Sequence, residues 1–194
     1  MLGSHNSLTY LPCRKWWMYL INWAAKCQSK TLSRQFHEGV RYFDFRVRFK
    51  DGKPVIAHGL IEYKGNIDNK VANLSYLAEH FKETIYLRFV LEFNKIPEDF
   101  ATQMADLINL VRYYRGKYPY IIYTYTMSKW NEQEISSYGN NLPHLTHKYS
   151  SVLKEKRFLW IPYWYAKLHN EENRKTYLGV LEDGVNRVLM LDFV

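Results

Sequence analysis

Two periods of hydrophobic and polar positions alternate along the chain. Short β-branched and aromatic runs predict strands over Met1–Ser4, Val40–Phe49, Pro54–His58, Thr84–Phe93, Tyr118–Thr126, Arg157–Tyr163 and Arg187–Val194. Between several of them lie helical patterns, over Arg14–Lys26, Leu32–His37, Leu74–Phe81, Pro97–Tyr114, Lys129–Tyr138 and Asn170–Leu181. The Pro97–Tyr114 pattern is the clearest, because Leu107, Ile108 and Val111 recur at helical spacing behind a Pro-Glu-Asp start. Alternating strands and helices predict an α/β chain with a parallel sheet under helices. No repeat, low-complexity tract or linker interrupts residues 1–194, so a single domain is expected. Seven or eight strands in one such domain predict a compact, distorted (β/α)8 TIM barrel, although the length of 194 residues falls just under the roughly 200 usual for that fold.

One strand breaks the ordinary pattern. Along Val40–Phe49, Phe43, Phe45, Val47 and Phe49 take one face, while Asp44, Arg46 and Arg48 take the other. Three charges in alternation do not suit a dry core. They suit a polar mouth that binds an anion. Asp51-Gly52 then turns the chain into Pro54–His58, and so few residues separate the strands that a hairpin is required. A two-residue turn would set Phe45 opposite His58. A type I turn with Gly52 in a bulge would instead pair Phe49 with Lys53 and Asp44 with His58. The bulge register is expected here, because glycine is favoured at that position. His5, in the loop after the first strand, supplies a second histidine where a barrel keeps its reactive groups. One histidine can take a proton, the other can give one, and Arg46 can neutralise a phosphoryl oxygen.

Composition narrows the partner. Lys and Arg number 27 against 19 Asp and Glu, a net charge of +8, and 17% of the residues are aromatic. That suits an anionic partner: nucleic acid, an anionic membrane or a phosphate-bearing molecule. Cys13 and Cys27 are too few for a disulfide framework. No apolar run is long enough to span a membrane, and no secretion leader is evident. A cytoplasmic or membrane-peripheral chain is therefore expected. Arg14-Lys-Trp-Trp-Met-Tyr-Leu-Ile-Asn-Trp mixes cations with tryptophans, as a membrane-interface segment or the first outer helix of the barrel would.

The segments GSHNSLTYL, GVRYFDFRVRF and VIAHG, in that order, with ETIYLRFVLEFN and NRVLMLDFV later, resemble the X-type catalytic domain of phosphatidylinositol-specific phospholipase C. The resemblance implies a distorted TIM barrel that cleaves a phospholipid phosphodiester. It assigns His5 as general base, His58 as general acid and Arg46 as the arginine that metal-independent bacterial members carry where calcium sits in the eukaryotic enzymes. Asp44 matches the acid on the same strand. Asp192 matches a late carboxylate that orients the first histidine. In a closed barrel the last strand lies beside the first, so Asp192 should approach His5. Asn6 stands where bacterial members usually carry Asp, as in the calcium-dependent enzymes. Asn6, Asp44 and Glu92 would be the oxygen ligands if Ca²⁺ bound. Arg46 would put a cation against that ion, so no metal cofactor is expected. Candidates for contacting the substrate are Asn6, Arg88, Glu92, Tyr163 and Tyr165, the tyrosines by stacking on a sugar ring.

The expected partner is a phosphodiester, lipid-derived, with peripheral contact to an anionic membrane, no nucleic acid, and a monomeric chain. Two competing readings remain. A metal-dependent glycerophosphodiester phosphodiesterase shares the early histidine and the hairpin, but wants an acid where Arg46 stands. A non-enzymatic basic barrel would bind a membrane or nucleic acid through a face away from the histidines. His144-Leu-Thr-His147 has metal-like spacing, but behind Pro143 it is expected to be a loop.

Overall fold

The computed structural model describes residues 1–93, 96–127, 144–146, 170, 171, 174, 175, 178 and 187–192. In chain order its elements are β1 (Leu2–Ser4), two 3-10 turns (Trp16–Leu20 and Asn22–Ala24), α1 (Leu32–His37), β2 (Val40–Lys50), β3 (Lys53–His58), β4 (Ile61–Glu62), α2 (Ile67–Phe81), β5 (Ile85–Leu91), α3 (Phe100–Lys117), β6 (Ile121–Met127), β7 (His144–Thr146) and β8 (Arg187–Leu191). Six strands run parallel in the order β7-β8-β1-β2-β5-β6, and the antiparallel pair β3 and β4 hangs from the far end of β2. This is a mixed α/β fold. Among the described residues the sheet is open, with β6 and β7 at its edges, so the closed barrel expected from the pattern is not seen. The expected helix Lys129–Tyr138 and strand Arg157–Tyr163 lie outside the described residues.

The alternation of β2 organises the core. Phe43, Phe45 and Val47 are fully buried and pack with Leu87, Phe89 and Leu91 of β5 under α2 and α3. Each such phenylalanine contributes about 2–3 kcal/mol by leaving water. The opposite face carries Asp44 and Arg46, and a small cluster of Tyr42, Val188 and Met190 fills it lower down. Gly3 is needed there: a Cβ would run into Met190 Sδ and Val188 Cγ1. Thus β1 can lie against β8 only because position 3 has no side chain.

Helix α2 begins at Ile67, earlier than the expected Leu74. Asn66 caps it by accepting from Asn69 N–H at 3.1 Å, and Ile67, Val71, Leu74 and Ala78 give it one buried stripe. It ends at Lys82, whose φ of 53° is left-handed. The expected helix Arg14–Lys26 is instead the two 3-10 turns. Cys13 bridges to Tyr63, and Arg14 N–H bonds Glu62 O at 2.7 Å, so the chain enters this segment extended and tied to β4. Of Trp16–Leu20 only Met18 is buried, which leaves no continuous apolar face to stabilise a longer helix. His144, expected in a loop, lies in β7, paired with Arg187 of β8; His147 is outside the described residues.

Candidate functional site

The site lies where β1, β2, β5 and β8 end, the side on which open parallel sheets carry their ligands. Beyond β1 the chain turns sharply at Asn6, whose φ of 48° is left-handed. Ser7 straps the turn to β2: its N–H bonds Asp44 O at 2.9 Å and its Oγ accepts from Asp44 N–H at 2.9 Å. His5 N–H bonds Leu191 O at 3.0 Å, so Asp192, the residue that follows β8, lies beside the imidazole. Asp192 Oδ1 meets His5 Nδ1 at 2.8 Å, as strand adjacency predicts across 187 positions of sequence. Asn170 fixes Asp192 in turn: its Oδ1 accepts from Asp192 N–H at 2.9 Å and its Nδ2 donates to Asp192 O at 2.6 Å.

Arg46 is held on three sides. Its Nε donates to Asp44 Oδ2 at 3.3 Å, its Nη1 to Glu92 Oε2 at 3.1 Å, and its Nη2 lies 2.7 Å from His5 Nε2. A guanidinium can only donate, so His5 Nε2 carries its lone pair and the neutral ring holds its proton on Nδ1, toward Asp192. Arg88, opposite Asp44 in the β2–β5 ladder, approaches Asp44 Oδ1 at 3.8 Å. Arg88 and Glu92 therefore belong to the ion-pair network around Arg46.

The hairpin takes the other register. Lys50 pairs with Lys53 and Phe49 with Pro54, a two-residue turn with Asp51 at φ 50° and Gly52 at φ 69°. Both turn residues are left-handed, and that geometry matches the twist of the flanking strands, which is why it beats the expected bulge. Phe49 therefore does not face Lys53, nor does Asp44 pair with His58. His58 reaches the site by another route. The β2–β3 ladder ends at Val47 and Ile56, after which β3 leaves β2 and pairs with β4. His58 Nδ1 then bonds Ala25 O at 2.6 Å, and its ring centroid lies 6.2 Å from that of His5, edge to face. Glu92 Oε1 accepts from Gly59 N–H at 2.9 Å and anchors the end of β3.

Two residues between the histidines carried no motif in the sequence. Cys27 Sγ lies 3.6 Å from Asn6 Nδ2 and 3.9 Å from His58 Nδ1. Gln28, fully buried, donates through Nε2 to both His5 O and Leu191 O at 3.0 Å, stitching β1 to β8. A buried glutamine in a loop has only such backbone groups to satisfy, a signal visible once the topology is known. Tyr163 and Tyr165 lie outside the described residues.

Burial and charge set the protonation. Burial pushes the Asp44 carboxyl up, but Arg46, Arg88, His5 and the Asn6 N–H outweigh it and hold it down to about 2. Glu92 is likewise held below its usual range, Arg46 and His58 outweighing burial. Burial and then Arg46 push His58 down, to about 4, against the opposing pull of Glu92. A protonated His58 is therefore not the resting form of the free site at neutral pH. Burial and Asp192 push the Cys27 thiol well up. The oxygen ligands named for Ca²⁺ have other partners here. The Arg46 guanidinium bonds both Asp44 and Glu92, and the Asn6 amide turns to Cys27.

An α/β sheet with a paired histidine, a second histidine and an anchored arginine at its strand ends defines a candidate acid–base site. Solved structures with a similar fold include phosphatidylinositol-specific phospholipases C. The enzyme from Listeria monocytogenes superposes with a TM-score of 0.63 at 17% identity, covering 100% of this chain and 87% of its own. The Staphylococcus aureus enzyme superposes with a TM-score of 0.61 at 16% identity, covering 100% and 85%. At these identities the likeness is one of fold. No family model and no curated protein matches the chain.

Proposed function

We propose that the chain is a phosphodiesterase of the phosphatidylinositol-specific phospholipase C type. It cleaves a phosphodiester of a phospholipid or related substrate without a metal cofactor. The carrying observation is His5, held by Asp192 through Nδ1 and presenting Nε2 toward Arg46, with His58 across the site. His5 Nε2 takes the proton of the attacking hydroxyl as its oxygen bonds phosphorus. His58 gives a proton to the leaving oxygen as the old P–O bond breaks. Arg46 Nη2, which donates to His5 Nε2 before substrate binds, moves that bond to a non-bridging oxygen and so frees the Nε2 lone pair. Acid–base groups of this kind contribute about 10²–10⁴-fold and an oxyanion donor about 10²–10³-fold.

Charge supports the order of events. Among the described residues, three carboxylates (Asp44, Glu92, Asp192) and two guanidiniums (Arg46, Arg88) surround the site. A phosphodiester anion entering it favours a proton on His58, which arms the acid as substrate binds. Arg46, bonded to Asp44 and Glu92, supports metal independence, because it holds the two carboxylates a cation would need. We take the open sheet as the described part of a distorted TIM barrel, a reading supported by its strand order and by the fold of the bacterial enzymes.

We also assign the exposed turn at Trp16, Tyr19, Leu20 and Trp23, beside Arg14 and Lys15, to peripheral contact with an anionic membrane. Its end, Ala25, holds His58, so the lipid surface and the site adjoin. Among the described residues no helix is long and apolar enough to cross a membrane. The chain is read as a monomer.

The test is incubation with phosphatidylinositol, lysophospholipids and glycerophosphodiesters, with and without EDTA, and products read by phosphorus NMR. Cleavage of at least one of them that ignores EDTA supports the proposal. Cleavage abolished by EDTA and restored by Ca²⁺ or Mg²⁺, or no cleavage of any, overturns it.

A further inference from the structure

We infer that Cys27, His5 and Asp192 form a binding site for a soft divalent cation of the Zn²⁺ class, and that the bound ion switches the site off. The second half rests on the function proposed above; the binding half does not.

The ligand atoms of these three residues all lie within 4.8 Å of one another. They come from three separate places in the chain: the loop after β1, the segment before α1, and the end of β8. The surrounding bonds hold them in place. Gln28 ties the His5 and Leu191 backbones together, Asn170 clamps the Asp192 backbone, and Cys27 N–H bonds Thr9 Oγ1 at 3.0 Å. Zn²⁺ takes thiolate, imidazole and carboxylate together in a tetrahedral set, with water in the fourth position. Ca²⁺ and Mg²⁺ prefer oxygen and have no use for the sulfur.

The charges close. A thiolate and a carboxylate neutralise a divalent ion, with imidazole as the neutral third ligand. This matters because the Arg46 guanidinium lies against the far side of His5. The protons balance as well. Cys27 releases its thiol proton to solvent. If the ion takes His5 Nδ1, the proton that Nδ1 shares with Asp192 in a hydrogen bond moves to Nε2. The lone pair that would serve as base is then gone, and Arg46 Nη2 faces an N–H instead of an acceptor. Nδ1 is the ring nitrogen beside Asp192, whereas Nε2 is taken by Arg46. Binding at Nδ1 also removes Asp192 from its task of orienting the ring. Binding and catalysis therefore exclude each other.

The experiment titrates the full chain with Co²⁺ as a spectroscopic stand-in, then with Zn²⁺ in competition. Wild type should show a sulfur-to-cobalt charge-transfer band that Zn²⁺ abolishes and excess Ca²⁺ leaves in place. C13A, which leaves Cys27 as the sole thiol, should keep the band, and C27S should lose it. The C27S substitution should weaken Zn²⁺ binding by about 100-fold or more, since even outer partners of a metal ligand are worth 10–100-fold. Zinc-edge X-ray absorption of the wild type needs no variant and should find one sulfur near about 2.3 Å with nitrogen or oxygen neighbours. A wild type without the band, a band that survives in C27S, or an edge spectrum without sulfur overturns the site. With a phosphodiester substrate, Zn²⁺ should inhibit wild type and lose most of that inhibition in C27S, each rate taken relative to its own metal-free value. Zn²⁺ that binds through sulfur yet leaves turnover unchanged overturns the switch alone. A chain that binds Zn²⁺ in this way but cleaves no phosphodiester defeats the proposed function and keeps the site.

Discussion

The two histidines stand 6.2 Å apart in one site, yet their surroundings differ in kind. His5 sits between a carboxylate and a guanidinium, each bonded to a different ring nitrogen. His58 rests on a neutral carbonyl, that of Ala25, and Arg46 lies close enough to disfavour its protonated form. The first ring is fixed in one tautomer, its Nε2 lone pair accepting from Arg46. The second is left to take its proton when an anion arrives. Opposite environments around a pair of like groups are how one fold assigns base and acid.

Removing either ring should give the largest effect. H5A and H58A should each lower kcat/KM for a phosphodiester by about 10²–10⁴-fold. The double variant should fall little further, because the groups act as a unit. An H5A variant that keeps most of the activity contradicts the assignment. D192N is milder: it keeps the ring but unpins its tautomer, and kcat should drop about 10²-fold with KM little changed.

The pH–rate profile sharpens the contrast. In the free protein His58 is pushed down to about 4, so the basic limb of kcat/KM lies well below the ordinary histidine value of 6.5. A bound phosphodiester favours protonated His58, so the limb of kcat should lie at higher pH than that of kcat/KM. E92Q removes the charge that pulls His58 up, and should move the kcat/KM limb lower still.

Stability gives the smallest signal. His58 binds its proton less tightly when folded, so the unfolded chain takes up more protons between pH 6.5 and 4. Stability therefore falls as pH falls through that window, by about 1 kcal/mol per pH unit. H58Q should remove this slope in denaturant melts. A further loss from Asp44, between 3.8 and about 2, should remain.

Much of the site was legible in the sequence because it rests on period-two alternation. Phe43, Phe45 and Val47 are core, and Asp44 and Arg46 face the site, as the pattern of that strand predicts. The meeting of Asp192 with His5 follows from placing the last strand beside the first. What stayed hidden depends on backbone choices that no periodicity encodes. Asp51-Gly52 admits two turn types, and the left-handed pair wins by matching strand twist. That choice moves the register by one residue, and His58 reaches the site only because β3 then leaves β2. Cys27 and Gln28 sit in a loop where hydrogen-bonding partners, not pattern, fix the side chains. The run Arg14–Lys26 has a helical pattern, yet the tie of Cys13 and Arg14 to Tyr63 and Glu62 leads the chain into 3-10 turns.

The two rings differ before substrate arrives: His5 is fixed in one tautomer, and His58 stays neutral until an anion binds. Nitrogen-15 NMR of the imidazoles, with pH titration, tests this difference most directly. The neutral His5 ring should be the Nδ1–H tautomer. His58 should stay neutral until pH falls well below the usual histidine range, and titrate at higher pH once a non-hydrolysable phosphodiester analogue is bound. His5 as the Nε2–H tautomer, or a His58 that titrates near 6.5 and ignores the analogue, would contradict it.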